Sequence, residues 1–508
     1  MKRMTACFVA IVLITTLFGS IMVKGFSLEE TIGGQELGDE KKIYCEATLE
    51  DDFAGDSILV VLSNEASLEF NLYGTNDFSE IDCSSVYDLT EASGIKVLEK
   101  ICAIKRVVDS NQINFDTLDV SGVDTYHKIL RLKLEENSKH NVLRSIEELM
   151  KRDDVICAEP DYAVYSSEVV SMSEADTVYW ALDQINLPEA WEISTGSADV
   201  VVGIIDSGID ASHPDLADRV PLEHSWDFTL GEDYNILPTD PYGHGTEVAG
   251  IIGAIGNEET GFYGICREVT LASLRVLDSN GTGYVSNIAL AIEYAERNRI
   301  PILNMSLNYT NYSATVRLAI QNYYGLFVSS AGNGGLNVDV NTVYPTSYNF
   351  SNLISVGSSI LYDEVDAHSN YGKTTVDIFA PGQLLISTSN NADNRYCITG
   401  GTSMSSPFVA GVAALILSIH PELEAYEIKQ IILESADEVV YLSNLCVCGG
   451  RLNAYSSLIS SYVHNIDIWP YNQSYHAIGC TDCEYVHYEI HLWNSTGTKC
   501  LLCGYTRG

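Results

Sequence analysis

The sequence predicts an α/β protein, a three-layer fold in which a mostly parallel sheet lies between helices. One continuous apolar run, 200–205, has the length and composition of a strand buried on both faces, and the largely apolar runs 269–276 and 300–307 are similar. Residues 286–298 place Ile288, Ile292 and Ala295 on one helical face, with Ser286 positioned to cap the helix. Buried strands that alternate with amphipathic helices are typical of a parallel sheet covered by helices.

The carboxyl edge of this sheet is the expected place for a functional site. A shorter apolar run, Gly325–Ser330, adds a fourth candidate strand. Because parallel strands all point the same way, residues that follow them collect at one edge of the sheet. Polar side chains directly after these runs are therefore the first candidates for chemistry.

Residues 26–166 predict a separate, small α+β domain before the sheet. Its strand-like runs are 58–62, 128–134 and 155–165. A helical segment, 141–151, carries Leu143, Ile146 and Leu149 at helical spacing. The polar stretch 167–175 then predicts an exposed linker to the main domain, 176–462.

The first 25 residues predict a secretory signal peptide. Lys2 and Arg3 precede the uncharged apolar stretch 4–23, which is the order of charge and apolar residues found in such signals. The stretch is long for that role, so an uncleaved membrane anchor is the alternative. Cleavage would give a secreted protein, and retention would attach the protein to the cell surface.

Composition excludes some partners. The 508 residues are enough for two or three domains, and 69 acidic against 28 basic residues give a net charge of -41. A surface this acidic argues against nucleic acid, whose affinity comes from neutralised phosphates, and against anionic membranes. It offers carboxylates to hard cations such as calcium, although a solvated acidic surface alone also accounts for it.

A cysteine-rich tail, 463–508, follows the predicted sheet. Cys480 and Cys483 form one C-x-x-C pair, and Cys500 and Cys503 form a second after sixteen intervening residues. This spacing predicts a zinc-ribbon-like site with four thiolates. Two disulfides are the alternative, because export favours them, and a third possibility adds histidine ligands from among His476, His487 and His491.

Three short blocks carry the chemistry of the main domain. Asp206 ends the first buried run, in Ile204-Ile205-Asp206-Ser207-Gly208. His244 lies in Gly243-His244-Gly245-Thr246, where glycines let other chains approach the imidazole. Ser403 lies in Gly401-Thr402-Ser403-Met404 at the start of an apolar helix, close to the positive end of its dipole.

These residue types are the ones that acyl transfer requires. His244 is expected to take the proton of the Ser403 hydroxyl and later to return it to the leaving amine. Asp206 is expected to fix the tautomer of the imidazole and to stabilise its charged form. Asn333, in Ser330-Ala331-Gly332-Asn333, and the backbone N–H of Ser403 are the candidate oxyanion donors.

Taken together, the blocks resemble the subtilisin family of serine proteases. The order Asp, His, Ser is that of subtilisin, and the likeness spans roughly residues 176–460, including Gly450-Arg451-Leu452-Asn453-Ala454. The resemblance implies a serine endopeptidase that acts through an acyl-enzyme at Ser403 without an organic cofactor. The alternative is a catalytically inactive binding or adhesion protein on the same scaffold.

The resemblance also implies a self-processing zymogen. Residues 26–166 then correspond to the inhibitory propeptide, and Glu159-Pro160-Asp161-Tyr162 is similar to its acidic end. An unrelated adhesion module is the alternative for this domain. Cleavage is expected between about Tyr165 and Asp176, and the implied partners are peptide or protein substrates and the protein's own propeptide.

Two further sets of residues follow from aligning the chain with the family. Asp176, Asp215 and Asn257 fall on positions that bind calcium in family members, with ordinary loop residues as the alternative. Ser306, Leu307, Asn308 and Tyr309 form the predicted wall of the substrate cleft, where Asn308 and Tyr309 replace two glycines. Val343 is expected to fill the floor of the pocket for the residue before the cut bond, so that large aromatic side chains fit poorly there.

Overall fold

The computed structural model describes most of the chain in two compact units. The described residues are 43–44, 47–62, 95–105, 126–134, 137–153, 155–166, 180–229, 239–256, 262–391, 395–461, 466–470, 475–480 and 486–490. The first unit contains residues 1–163, 284–290 and 311–322. The second unit contains 164–283, 291–310 and 323–508. The predicted signal peptide and the linker 167–175 lie outside the described residues.

The first unit is built on an antiparallel sheet. Its elements before residue 167 are β1 (Phe53–Leu62), β2 (Ile95–Lys105), β3 (Tyr126–Leu134), α1 (Lys139–Leu149) and β4 (Val155–Ser166), whose last three residues belong to the second unit. The helix Ala314–Asn322 and the first residues of the helix Val285–Arg297 also belong to the first unit. The strands lie in the order β4-β1-β3-β2, and Val60 is opposite both Leu130 and Ala158.

The α+β character predicted for residues 26–166 is present in these described elements, with one detail of α1 corrected. Helix α1 packs on β1 through Val142, Ser145 and Leu149. Leu143 and Ile146, which were expected on the packed face, are only half-buried. Leu143 and Ile146 lie on the helix beside the face that Val142, Ser145 and Leu149 form, so they border the core rather than fill it.

The main domain alternates strands and helices along the chain. After β4 the helices are α2 (Trp180–Gln184), α3 (Leu187–Trp191), α4 (His244–Gly253), α5 (Val285–Arg297), α6 (Ala314–Asn322), α7 (Thr402–Ile419), α8 (Ala425–Glu434) and α9 (Ala454–Ser461). The strands are β5 (Val201–Asp206), β6 (Trp226–Asp227), β7 (Thr270–Arg275), β8 (Thr282–Tyr284), β9 (Ile302–Met305), β10 (Leu307–Asn308), β11 (Leu326–Ser330), β12 (Leu353–Ser359), β13 (Ile378–Pro381), β14 (Leu385–Thr388), β15 (Tyr396–Thr399), β16 (Asp437–Glu438) and β17 (Gly450–Arg451).

A nine-stranded sheet forms the centre of the second unit. Its order is β16-β17-β13-β12-β11-β9-β5-β7-β6, and every neighbouring pair is parallel except β16 and β17. All residues of β9 and β11 are buried, as expected for strands covered on both faces. The predicted mostly parallel sheet is confirmed.

Helix α7 lies at the core of this unit. It packs on α4 and on the central strands, and its residues are apolar or small almost all round. Among the described residues it is the one helix long and apolar enough to cross a membrane, with a mean hydropathy of 1.6, but 89% of that window is buried within the protein. Burial of this kind identifies a core helix.

Two predicted elements are corrected by the structure. The apolar run 300–307 divides at Ser306 into β9 and β10, because Ser306 turns its hydroxyl to helix α7 instead of continuing the sheet. Helix α5 begins at Val285, so Ser286 lies inside its first turn and is not its cap. The backbone N–H of Ser286 instead donates to the carboxylate of Asp161 at 3.1 Å.

The tail contains a small antiparallel sheet. Its strands, β18 (Ile466–Pro470), β19 (Tyr475–Cys480) and β20 (Val486–Ile490), lie in that order. Cys480 is the last residue of β19, whereas Cys483, Cys500 and Cys503 lie outside the described residues. The zinc site predicted from these four cysteines is therefore still a prediction, and nothing in the described part of the chain supports it.

Candidate active site

Asp206 is fixed at the carboxyl end of β5, an interior strand of the sheet. It is fully buried, and its Oδ1 accepts a hydrogen bond from the backbone N–H of Ser207 at 2.7 Å. The Asp206 backbone carbonyl accepts from Val276 at 2.8 Å, which ties the strand end to the segment after β7. The carboxylate therefore has one orientation, toward the start of α4.

His244 is the first residue of α4, and its ring is held by that carboxylate. The Nδ1 atom lies 2.9 Å from each carboxylate oxygen of Asp206. The helix can approach so closely because Gly245 has no side chain, and a Cβ there would lie 2.1 Å from the carbonyl oxygen of Gly208. The other ring nitrogen, Nε2, is buried and has no hydrogen-bond partner among the described residues.

Two opposing influences set the charge of this imidazole. Burial disfavours the charged form, but the Asp206 carboxylate outweighs it and raises the pKa of His244 to about 9. The pair therefore stabilises the imidazolium that forms when the ring accepts a proton. A ring with one bonded nitrogen and one buried nitrogen without a partner has the arrangement of an oriented general base.

Asp240, which the sequence analysis did not single out, holds the loop before α4. Its buried carboxylate accepts hydrogen bonds from the Ser207 hydroxyl, from the backbone N–H of Gly243 at 2.7 Å, and from the Thr246 N–H and hydroxyl at 2.8 and 2.6 Å. Burial raises the pKa of Asp240 above its ordinary value. The Asp-Pro turn four residues before the histidine is the signal that could have indicated this role.

Ser403 lies at the same edge of the sheet. It is the second residue of α7, where backbone N–H groups have no partner within the helix. Its hydroxyl donates to the carbonyl oxygen of Ser306 at 3.3 Å, and the Ser306 hydroxyl donates back to the Ser403 carbonyl at 2.7 Å. Because β5 and β9 pair in parallel with Ile205 opposite Met305, Ser306 is level with Asp206.

Asn333 borders this position after β11. Its Oδ1 accepts from the backbone N–H of Thr402 at 2.9 Å and from the Thr402 hydroxyl at 2.8 Å. These two donors fix the amide so that its NH₂ group is the part that points away from Thr402. A Cβ on Gly401, whose φ is 101°, would lie 2.8 Å from the Asn333 Nδ2, so glycine is needed there.

The segment predicted to form the wall of the substrate cleft pairs with a strand of the protein's own chain. The end of β4 pairs with β10 in an antiparallel register, with Ser166 opposite Leu307 and Tyr165 opposite Asn308. On its other side, the Ser166 N–H donates to the carbonyl of Gly281 at 3.0 Å. The protein's own chain thus occupies this edge as a strand, leading toward Ser306.

The side chains of the wall are tied back into the protein. The Asn308 amide donates to the Ser330 carbonyl at 2.7 Å and accepts from the Ser330 hydroxyl at 3.0 Å. Tyr309 is buried, and its hydroxyl lies 3.2 Å from that of Tyr348. Val343 is buried in a small apolar cluster that also contains Ala331, the residue after β11.

The calcium residues are only partly within the described chain. Asp215 is buried, and one of its carboxylate oxygens accepts from the Tyr396 hydroxyl at 2.7 Å. Asp176 and Asn257 lie outside the described residues. No group of three or more His, Cys, Asp or Glu side chains suited to a metal is present in the part of the chain that the structure describes.

Comparisons with known proteins place this arrangement in a family. Residues 197–454 match the subtilase family. The chain is 35% identical to a thermophilic serine proteinase of Bacillus sp. (strain AK1) over 63% of this chain and 78% of that protein. It is 36% identical to subtilisin DY of Bacillus licheniformis over 52% of this chain and 92% of that protein.

A solved structure shares the fold. Fervidolysin from Fervidobacterium pennivorans, described as a keratinolytic enzyme related to subtilisin, superposes with a TM-score of 0.63 at 21% identity. The match covers 84% of this chain and 64% of fervidolysin, so the chain spans somewhat less than two thirds of that protein. The chain belongs to the subtilase family, and it is a serine protease of the subtilisin type.

Proposed function

We propose that this protein is a secreted endopeptidase that hydrolyses peptide bonds through an acyl-enzyme at Ser403 and that is made as a self-processing zymogen. One observation carries the catalytic part of the proposal. A buried Asp206–His244 pair leaves one imidazole nitrogen without a partner among the described residues, at the sheet edge where Ser403 lies in the first turn of α7. An inactive scaffold is not favoured, since the named relatives are proteinases.

The first chemical step is a proton transfer. His244 Nε2 accepts the Ser403 proton while the hydroxyl oxygen attacks the substrate carbonyl, and the imidazolium later protonates the leaving amine. Asp206 holds the Nδ1–H side of the ring and stabilises its positive charge. The Ser403–Ser306 hydrogen bond has to give way for this, because the hydroxyl must turn toward the ring.

The second requirement is stabilisation of the oxyanion. The Asn333 NH₂ group and the Ser403 backbone N–H are the two donors, and Thr402 orients the amide by holding its oxygen. The positive end of the α7 dipole adds to the effect. Water resolves the acyl-enzyme by the same steps in reverse order.

A covalent serine probe such as a fluorophosphonate tests the catalytic proposal. The wild type should be labelled once, and Ser403→Ala should not be labelled. Ser405→Ala is the matched control, because Ser405 is a buried hydroxyl two residues further along α7 and should leave labelling unchanged. A wild type that resists the probe after maturation would favour an inactive scaffold.

Two carboxylates support the propeptide part of the proposal. The carboxylate of Glu159 accepts from the Ser313 hydroxyl and from the N–H groups of Ala314 and Thr315, at the start of α6. Asp161 accepts in the same way from the N–H and hydroxyl of Ser286, at the start of α5. Each carboxylate accepts hydrogen bonds from backbone N–H groups in the first turn of a helix, which have no partner within the helix. These hydrogen bonds hold the end of β4 in place.

The strand register points to the bond that is cut. Ser166, the last described residue of β4, lies opposite Leu307, and Leu307 follows Ser306, whose carbonyl accepts a hydrogen bond from the Ser403 hydroxyl. The proposed processing site is therefore the bond from Ser167 to Glu168. A serine side chain is small, which agrees with a pocket floor filled by Val343.

Maturation of the precursor tests this. The wild type should release a mature chain that begins at Glu168, and Ser403→Ala should stay full length in a protease-free host, since loss of the nucleophile costs on the order of a millionfold in rate. Maturation of Ser403→Ala at the wild-type rate would disprove self-processing. A mature N-terminus at another residue would contradict the proposed processing site but not the catalytic role proposed for Ser403.

Secretion and metal binding complete the proposal. The basic and apolar N-terminal segment 1–25 supports export. Calcium is proposed at Asp215 together with Asp176 and Asn257, because subtilases commonly bind calcium and Asp215 keeps a buried carboxylate there. Chelator should lower the melting temperature of the wild type but not of Asp215→Ala, and a chelator-insensitive wild type excludes the site.

Metal analysis and thiol counting on the full chain decide between zinc and disulfides in the tail. One zinc per chain with four protected thiols at Cys480, Cys483, Cys500 and Cys503 supports the ribbon. No metal and no free thiols at these positions would assign two disulfides.

A further inference from the structure

Two cysteines lie side by side in the loop between β16 and β17. The Sγ atoms of Cys446 and Cys448 are 3.9 Å apart, and both lie 3.6 Å from the carbonyl oxygen of Gly450. Cys446 is fully buried and Cys448 is partly exposed. Neither sulfur has a part in the proposed catalytic chemistry.

The backbone around the pair is held on both sides. The N–H groups of Val447 and Cys448 donate to the carbonyls of Val376 at 2.7 Å and Asp377 at 3.1 Å. The Lys373 ammonium donates to the carbonyls of Ser443 at 2.7 Å and Cys446 at 3.3 Å. With the main chain fixed, the two sulfurs stay near each other, and rotation of the side chains is what remains to bring them closer.

We propose that Cys446 and Cys448 form a reversible disulfide, which makes the loop between β16 and β17 a redox-sensitive site. The oxidant is a small-molecule or protein disulfide. In the first exchange one cysteine thiolate attacks it, forms a mixed disulfide and releases one thiol. In the second exchange the other cysteine displaces the second thiol, so two protons leave the pair and one S–S bond forms.

The surroundings set the order of the two exchanges. Cys448 is the sulfur that an external disulfide can reach, because Cys446 has no exposed surface. Once Cys448 is joined to the external thiol in the mixed disulfide, Cys446 resolves it as a thiolate, because its sulfur lies 3.9 Å from that of Cys448. The distance to close, from 3.9 Å to a bond of about 2.05 Å, is less than the reach of a side-chain rotation.

A metal site does not account for the pair. A structural zinc ion needs four ligands, and the described residues contain no group of three or more His, Cys, Asp or Glu side chains around these sulfurs. A disulfide across three residues also adds little chain-entropy stabilisation, roughly tenfold in the unfolding equilibrium constant. The feature is therefore better suited to a reversible change than to a permanent cross-link.

Peptide mapping of the full chain tests the proposal directly. Trypsin releases residues 430–451 as one peptide, which contains Cys446 and Cys448 and no other cysteine. After treatment with oxidised glutathione and acid quenching, this peptide should be 2 Da lighter and should take up no alkylating reagent. After dithiothreitol it should carry two alkyl groups. Two alkyl groups after the oxidant would overturn the proposal, as would a cross-link from this peptide to another one.

A stability measurement provides the second readout. The unfolding equilibrium of the wild type should shift roughly tenfold between the two redox states, and that of Cys448→Ala should not shift. Cys397→Ser is the matched control, because Cys397 is also partly exposed but its sulfur faces the Thr388 carbonyl. This variant should keep the wild-type response, and loss of the response would assign the redox effect to Cys397 instead.

Discussion

If residues 26–166 are the proposed propeptide, Glu159→Gln is expected to weaken their binding after cleavage. In the wild type, Oε1 accepts from the Ser313 hydroxyl at 2.8 Å and from Thr315 N–H at 3.0 Å, and Oε2 accepts from Ala314 N–H at 2.8 Å. Glutamine keeps one acceptor oxygen and presents an NH₂ group in place of the other. The N–H of Ala314 then faces a donor and loses its partner.

The size of the effect follows from these contacts. An unsatisfied donor in a buried site costs about 1–3 kcal/mol. Loss of the negative charge at a helix N-terminus adds about 0.3–2 kcal/mol, toward the upper end because Glu159 is fully buried. At about 1.4 kcal/mol for each factor of ten, the total of about 1.3–5 kcal/mol corresponds to a loss of affinity of roughly 10- to 4,000-fold.

The assay follows the time course of activity on a fluorogenic peptide after processing. The lag before activity reports release of the propeptide, and interface substitutions act mostly on dissociation, so the lag should shorten by a similar factor. Glu148→Gln is the control, because Glu148 is exposed and its carboxylate forms a surface ion pair with Lys151, just after the end of α1. An unchanged lag for Glu159→Gln would refute the reasoning.

Three other outcomes are expected of the mature enzyme. The rate constant kcat/KM should rise with pH through a midpoint near 9, because His244 must lose its proton to act as a base. Asp206→Asn should lower that midpoint, because a neutral amide no longer stabilises the imidazolium, and a fixed midpoint in a pH–rate profile would contradict the assigned pair. Asn333→Ala should lower kcat about 100- to 1,000-fold with little change in KM, and an unchanged kcat would remove Asn333 from the site. In a peptide library that varies the residue before the cut bond, the wild type should cleave best after small residues. Val343→Gly should lower the activation free energy for cleavage after Phe or Tyr by about 1–3 kcal/mol. A wild-type profile already dominated by Phe or Tyr would be inconsistent with a filled pocket.

The order of the chemical blocks along the sequence was enough to predict much of the site's arrangement. The positions of Asp206 and Ser403 follow from local patterns. Neighbouring residues alone show that Asp206 ends a buried strand and that Ser403 lies at the start of an apolar helix. The structure places both where those patterns indicate. The mostly parallel sheet followed from the same local evidence.

Contacts between distant residues could not be predicted in this way. Ser286 looked like a helix cap, yet the helix starts one residue earlier and its open N–H is satisfied by Asp161, 125 residues away in sequence. Ser306 looked like the interior of a strand, but its hydroxyl bonds to Ser403, 97 residues away. A polar side chain's partner is set by tertiary packing, which the pattern of a single segment does not contain.

The spacing of the site along the chain has a consequence for biosynthesis. Asp206 is made early, His244 soon after, and Ser403 only when about four fifths of the chain has been translated. Since Ser403 is oriented by α7, and α7 packs against the central strands of the sheet, the proposed nucleophile is positioned only when that core has assembled. A ribosome-bound fragment that ends before α7 therefore cannot digest neighbouring proteins, and the cell is protected during synthesis by the order of translation itself.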